Sequence, residues 1–222
     1  QPIDPPTLSM TFRINDGPFA GKEGDKVQSR VIRERLLKEA ERNIAIKITE
    51  NPDRDSFDVA GRGELQLAIL IENMRREGFE LCVSRPRVVM QTDEETGEKL
   101  EPIEEVIIDV DEEHSGVVVQ KLSERKGDLM EMRPSGGGRQ RVVFHAPTRG
   151  LLGYQSELLT DTRGTAVMNR LFHEYAPYRG EIAGRHNGVL IANNPGDATA
   201  YSLFYLQDRG PIMITPQTKV YE

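Results

Sequence analysis

EEVIIDVDEEHSGVVVQKLSERKGDLMEMRPSGGGRQRVVFHAP, residues 104–147, changes its hydrophobic period repeatedly, and those changes decide the fold. Residues 104–113 alternate apolar and polar, as a half-buried strand does. Residues 114–127 carry a helical pattern that ends in Gly127. DLMEMRP (128–134) and RQRVVFHAP (139–147) read as strands on either side of SGGG. Downstream, LLGYQSELLTDT (151–162) reads as one helix stopped by Gly164, and TAVMNRLFHEYAP (165–177) as a final strand. The order is βαββαβ, the split βαβ arrangement of a ferredoxin-like sandwich. The glycine run joins two strands, where a hairpin needs positive φ. A phosphate-cradling loop would instead lead from a strand into a helix N-terminus. SGGG is therefore expected to be a turn.

The same order occurs upstream. TLSMTFRI (7–14) reads as a strand, and VQSRVIRERLLKEAERN (27–43) as a helix with Ile32, Leu36 and Ala40 on one face. IAIKITE (44–50) and FDVAGR (57–62) are strands, with NPDRDS as the turn between them. Gly63 to Glu77 is a second helix, carrying Leu67, Ile71 and Met74 on one face and stopped by Gly78. FELCVSRPRVVM (79–90) returns as a strand. TDEETGEK (92–99) has no apolar residue and is either a linker or a hairpin tip.

The expected class is α+β, with tandem ferredoxin-like βαββαβ sandwiches over residues 1–92 and 93–180. Residues 181–222 should open a β-rich module, because VLIANN, TAYSLFYLQD and PIMITPQTKVYE read as strand-like runs. The final run has no visible partner strand, so a continuation past Glu222 is expected. The chain begins with Gln1 rather than Met, and a longer parent is expected at that end too.

Composition narrows the function classes. Hydrophobic residues make up 37 % and charged residues 29 %, which suits a globular protein. No apolar run reaches the roughly 20 residues that would span a bilayer. Cys82 is the only cysteine, which rules out an intrachain disulfide and fits a reducing, cytoplasmic setting. It sits in the alternating run FELCVS and reads as a half-buried strand thiol. The net charge is −7, but residues 1–132 hold 19 Lys/Arg against 29 Asp/Glu, while residues 133–222 hold 10 against 7. An acidic total argues against nucleic acid only where the local charge is also acidic.

Motifs for chemistry fail on spacing. GPFAGKEG (17–24) lacks the G-x-x-x-x-G-K-[ST] spacing of a phosphate loop, and Glu23 stands where a hydroxyl belongs. AGRGELQL (60–67) lacks the third glycine of a dinucleotide fingerprint. Its glycines are expected to shape a strand-to-helix turn, with Glu64 favouring the helix N-terminus. His114, His145, His173 and His186 are scattered, and one cysteine cannot build a zinc site. Glu104–Glu105 and Glu112–Glu113 are adjacent, so each pair points two ways. No catalytic residue is nominated.

A basic set remains: Lys121, Arg125, Lys126, Arg139, Arg141, Arg149, Arg163, Arg170, Arg179 and Arg185. Any one of these reads equally well as a solvated side chain. As a cluster, all but Arg170 are taken as candidate RNA-binding residues. Arg139 and Arg141 share a strand face, and Arg149 and Arg163 flank the following helix. The strands offer few aromatics to stack bases, only Phe57 and Phe144 on the third strands. Contacts should therefore go to phosphate and folded shape.

Longer stretches carry a family resemblance. EPIEEVIIDVDEEHSGVVVQKLSERKGDL resembles the opening of the last domain of elongation factor G, and AGRGELQLAIL resembles a turn and helix of that factor's third domain. GPFAGKEG, GLLGYQSELLTDTRGTAVMNRLFHEYAPYRG and NGVLIANNPGDATAYSLFYLQDRG resemble the BipA/TypA group of ribosome-associated GTPases. The resemblance covers essentially the whole chain. It implies domains similar to the third (1–92) and fifth (93–180) of elongation factor G, then a truncated family-specific domain. It also implies a monomeric, cytoplasmic fragment without a catalytic site. Such a fragment would dock on the ribosome through ribosomal RNA, ribosomal proteins and tRNA, regulating translation or ribosome assembly under stress. GTP and magnesium are implied only for a G domain, and nothing like G-D-x-x-x-x-G-K-[ST] or N-K-x-D occurs here. The rival reading is a ferredoxin-like regulatory or protein-interaction module with no RNA role, which would show no salt dependence. An enzyme with a site between the two sandwiches would need converging, perturbed titratable groups.

Overall fold

A computed structural model describes residues 5–18, 20–51, 55–184, 190–209 and 212–221. The chain forms two compact units that meet in sequence between Ala183 and Gly184.

The first unit holds two sheets. The first sheet contains β1 (Leu8–Ile14), β2 (Lys47–Asn51), β3 (Ser56–Gly61), β4 (Leu81–Val83) and β5 (Arg87–Val88). Its order is β2-β3-β1-β4, with β5 also pairing with β1, and every pairing is antiparallel. Helices α1 (Ser29–Arg42) and α2 (Glu64–Arg76) are amphipathic and cover one face. Ile32 and Leu36 from α1, and Leu67, Leu70 and Met74 from α2, pack on Leu8, Phe12, Phe57 and Val59. Each such fully buried side chain contributes about 1.5–3 kcal/mol. The run FELCVSRPRVVM is split at its Ser-Arg-Pro stretch into β4 and β5, both still on β1.

The second sheet repeats the plan. β7 (Lys99–Asp111), β8 (Asp128–Gly136), β9 (Arg139–Pro147) and β10 (Val167–Pro177) are ordered β10-β7-β9-β8, and the short β6 (Gln91–Thr92) pairs with β7. TDEETGEK is thus the tip of a hairpin joining β6 to β7, closed by the Asp93 N–H on the Glu98 carbonyl at 2.9 Å. Val106, Ile108 and Val110 of β7 and Val142, Phe144 and Ala146 of β9 face α3 (Glu112–Glu124), with Val118 and Leu122. The SGGG run is a turn between β8 and β9, and Gly136, Gly137 and Gly138 take φ of 87°, 62° and 75°. Both sheets show the strand order of a ferredoxin-like sandwich.

One expected helix is two. α4 (Thr148–Leu151) ends at Leu152, and α5 (Tyr154–Asp161) starts after Gly153, whose φ of 72° interrupts the helix. The break turns Leu152 onto the core of the first sandwich. The Gly153 N–H donates to Glu64 Oε1 of α2 at 3.2 Å, so the two sandwiches meet there.

The second unit contains the two-residue strands β11 (Gly196–Asp197) and β12 (Lys219–Val220), paired antiparallel. Between them lies α6 (Ala200–Leu206) and a 3-10 turn at Gln207–Arg209. TAYSLFYLQD is therefore helical, not the strand its aromatics suggest. The Thr199 hydroxyl caps the helix by accepting the Ser202 N–H at 3.3 Å, and a good cap outweighs the weak strand preference of tyrosine and phenylalanine. VLIANN is not a strand over its described residues, 190–194, and PIMITPQTKVYE contributes only Lys219–Val220; Asn187–Val189 lie outside the described residues. No described residue of this unit is buried.

Candidate functional site

The basic residues nominated from sequence sit around the second sandwich, and the fold has already used most of them. Asp109 and Arg141 are opposite each other on β7 and β9. Arg141 grips the Asp109 carboxylate with Nε and Nη2, both at 2.9 Å. That bond holds the Asp109 carboxyl below its ordinary pKa and raises that of Arg141. Arg139, two register pairs along, donates to the carbonyls of Asp109 (3.0 Å) and Thr165 (2.9 Å). These two arginines do share the open face of the sheet, where each has a carboxylate neighbour.

At the C-terminal end of α3, Lys121 pairs with Asp161 at 2.7 Å, which pushes its pKa up, and Arg125 pairs with Glu157 at 2.9 Å. Arg125 also donates to the Gly150 carbonyl at 2.7 Å and lies over the Tyr154 ring. Both residues bind α3 to α5. Arg149 reaches from α4 to Glu101, which is fully buried, and to the Gly180 carbonyl. Arg179 pairs with Asp128 at 2.7 Å and donates to the Lys126 carbonyl at 2.8 Å. Arg170 pairs with the buried Glu104 at 2.8 Å.

Two candidates differ from the rest. Lys126 and Arg163 stand at the C-terminal ends of α3 and α5, exposed, with no ion pair among the described residues. Both adopt left-handed backbone, with φ of 67° and 52°. That region costs a residue with a Cβ roughly 1 kcal/mol relative to glycine. Arg185, like His186, lies outside the described residues. The nominated set is thus not one continuous cationic rim: most of it is neutralised internally.

Sequence reasoning missed a site in the first sandwich. The GPFAGKEG loop does cradle an anion, but the anion is the chain's own Glu80. This carboxylate, nearly buried, accepts Asn15 Nδ2 at 2.8 Å and the N–H groups of Gly21 (2.9 Å), Glu23 (2.9 Å) and Gly24 (3.2 Å). Burial alone pushes Glu80 up, yet the four donors together leave its pKa below the ordinary value. Glycine is needed at 24 because a Cβ there would come within 2.6 Å of the Gly78 carbonyl. A nucleotide phosphate has no room in a cradle already filled. The tell-tale signal was a lone Glu inside an otherwise apolar strand start, FEL.

Other groups stay apart. Glu104 points into the sandwich, while Glu105 faces His145 on the open side at 3.5 Å. His145 and His173 stack with centroids 4.1 Å apart. Among the described residues, no group of three or more His, Cys, Asp or Glu is placed to hold a metal ion.

Comparison with known proteins gives this geometry a lineage. The family described as Elongation factor G C-terminus matches residues 98–186, which hold the second sandwich. The family described as TypA/BipA C-terminal domain matches residues 187–222. By sequence the chain is a C-terminal portion of a TypA/BipA protein. It is 52 % identical over 221 residues to a protein of Salmonella typhimurium named Large ribosomal subunit assembly factor BipA. Proteins of the same name from Haemophilus influenzae and Bacillus subtilis are 49 % and 46 % identical. Each match covers 99 % of this chain but only 36 % of the relative, so the chain spans about a third of the TypA/BipA proteins it resembles. A crystal structure of a Thermus thermophilus protein matches in fold, with a TM-score of 0.51 at 15 % identity over 81 % of this chain and 42 % of that one. Among the described residues, no helix is long and apolar enough to cross a membrane.

Proposed function

We propose that this TypA/BipA segment is a ribosome-docking arm that contacts ribosomal RNA through phosphate, and that it serves a GTPase acting in large-subunit assembly and translation. The observation that carries the reading is identity of 46–52 % across nearly the whole chain with proteins named as large ribosomal subunit assembly factors. In this reading, residues 1–92 and 93–180 are rigid sandwiches similar to the third and fifth domains of elongation factor G. Residues 181–222 open the family's own C-terminal domain. Hydrolysis, with its GTP and magnesium, belongs to a G domain elsewhere, and the arm itself performs no chemistry.

The internal pairing of charges redistributes the candidate contacts. Of the nominated cations, Lys126 and Arg163 contribute most to phosphate affinity, because they alone among the described candidates are spared a side-chain partner. Arg125, Arg139, Arg141, Arg149, Arg179 and Lys121 hold the surface in shape and contribute field rather than direct contact.

Sedimentation of the 222-residue chain with purified large ribosomal subunits, across a potassium chloride titration, tests the reading. Binding should weaken as salt rises, with log affinity falling by about 0.7–0.9 per log unit of salt for each phosphate contact. Binding that ignores salt would favour the protein-interaction reading, and absence of binding would refute docking by this segment.

A further inference from the structure

The open face of the first sheet has a chemistry that the second sheet lacks. On β1, Leu8 and Phe12 turn inward, so Thr11 and Arg13 turn outward. The antiparallel register then sets Thr49, Asp58 and Thr11 side by side in one row, and Lys47, Ala60, Ser9 and Arg87 in another. Apart from the Asp58 carboxylate, the side chains these rows present are hydroxyl, cationic or small. None is a large apolar group.

This face is also held in place before any partner arrives. Asp58 accepts the Thr11 hydroxyl at 2.6 Å and Asn51 Nδ2 at 2.9 Å. Arg87 Nη2 donates to Thr11 Oγ1 at 2.9 Å, and the Thr11 N–H donates to Ser84 Oγ at 2.9 Å. Among the described residues, three cations, Arg13, Lys47 and Arg87, share this face with one carboxylate, Asp58. Arg13 additionally reaches Asp16 in the following loop at 3.6 Å, with both side chains more than half exposed. On a chain whose net charge is −7, this is a local reversal of sign. Lys47 and Arg87 lie three strands apart, about 14 Å at the ~4.8 Å strand spacing, too far for one small anion.

The second sheet makes the comparison. Its open face mixes Ile107, Val143 and Leu171 with Glu105, Asp109 and Glu131, and its cations Arg133, Arg139 and Arg141 each stand beside a carboxylate, Glu131, Asp111 and Asp109. A polyanion meets there cations that carboxylates already hold. The two sandwiches share a strand order and differ in what they offer a partner.

We propose that the open face of the first sheet is a second RNA-contacting surface, recognising the sugar–phosphate backbone. Hydroxyl, amide and guanidinium groups are the donors that engage phosphate and sugar oxygens, and they carry no base identity. The absence of aromatics on the face leaves bases unstacked, so the backbone is what it reads. Because Thr11, Asn51 and Arg87 are already held by hydrogen bonds, little of their side-chain ordering is lost on contact. This inference rests on the ribosome-docking reading and extends it to a sandwich on which sequence reasoning placed no contact.

The test uses the whole 222-residue chain, purified large ribosomal subunits, and Cys82 as a built-in reporter, since Cys82 pairs with Arg13 on this face. Wild-type chain is compared with R13Q/K47Q/R87Q and with K126G/R163G, after thermal unfolding has shown that all three fold. The triple variant should bind with a salt slope shallower by about 2–3, at about 0.7–0.9 for each of the lost contacts. Subunits should also slow maleimide labelling of Cys82 in the wild type. An unchanged slope in the triple variant, or labelling that ignores subunits, would overturn the surface while leaving the docking reading to stand on K126G/R163G. Loss of affinity at unchanged slope would assign the face to a protein partner and also overturn it. A wild-type chain that fails to bind refutes the docking reading itself.

Discussion

Arg149 was read from sequence as a phosphate contact, and its surroundings predict that replacing it destabilises the arm instead. Its guanidinium bridges the fully buried Glu101 carboxylate and the Gly180 carbonyl, and lies 4.4 Å from the Tyr178 ring centroid. Glu101 has one further donor, the Arg179 N–H at 2.8 Å. Arg149→Met keeps most of the side-chain volume and removes the charge, leaving a buried carboxylate with that single N–H. Breaking one side of a buried pair costs about 3–5 kcal/mol, against a total stability of about 5–15 kcal/mol for a typical protein. At about 2–4 °C per kcal/mol for a chain of this size, the melting temperature should fall by roughly 6–20 °C. Replacing both partners, as Glu101→Gln with Arg149→Met, removes the uncompensated charge and should recover at least about 2 kcal/mol of the summed single losses. Urea unfolding followed by circular dichroism, with the denaturant slope checked for constancy, measures all three. A cost under about 1 kcal/mol for Arg149→Met, or strict additivity in the double variant, would show that the pair does not hold the strand-to-helix corner. Either result would return Arg149 to the list of free cations.

Lys126→Gly and Arg163→Gly should each leave stability unchanged or raise it by up to about 1 kcal/mol, since glycine suits left-handed backbone. Each should nevertheless lower the salt slope of subunit binding by about 0.7–0.9, a combination that a structural role cannot produce. Glu80→Gln should loosen the 15–24 loop, read as faster proteolytic nicking there. Its pH dependence has a definite sign. Glu80 and Asp109 have folded pKa values below their ordinary ones, so their stabilisation is present above roughly pH 4 and is lost as pH falls through the folded values. The urea midpoint should therefore drop steeply in acid for the wild type and less steeply for Glu80→Gln. Leu152→Ala should cost about 1–2 kcal/mol, below the roughly 2–5 of a fully buried leucine, and should speed hydrogen exchange in the first sandwich, on which Leu152 packs.

Local pattern carried the fold a long way. Alternation at Val106, Ile108 and Val110, and the helical spacing of Ile32 with Leu36, are properties of single segments, so the βαββαβ order could be read twice without knowing any contact. The misreadings occurred where a local preference met a distant one. LLGY looks like continuous helix, but Gly153 breaks it because Leu152 has a place on the first core. TAYSLFYLQD has strand-forming aromatics, and the Thr199 cap decides otherwise. Charges were least legible. Arg141 meets Asp109 only once β7 and β9 are in register, and Glu80 serves a loop more than fifty residues upstream. The first relation has no sequence signature, and the second leaves only the lone Glu80 in FEL, which does not name its partner. The alternation Ser9, Thr11, Arg13 was visible from the start, but its meaning needed Lys47 and Arg87 to arrive on the same face.

That last point separates two kinds of charged residue in an acidic protein for which we propose a polyanionic partner. A folded chain spends arginines on its own carboxylates wherever topology brings them together, and each such pair leaves the surface field nearly neutral at short range. The second sandwich does this at Arg141, Arg149, Arg125 and Arg179. Of the nominated cations, it leaves over two on strained helix-end turns, able to touch a partner only at points. The first sandwich leaves over a continuous sheet face with its donors fixed. Point contacts set orientation, whereas an extended pre-formed face supplies area, so the two together would fix how the arm lies on folded RNA where either alone would let it roll.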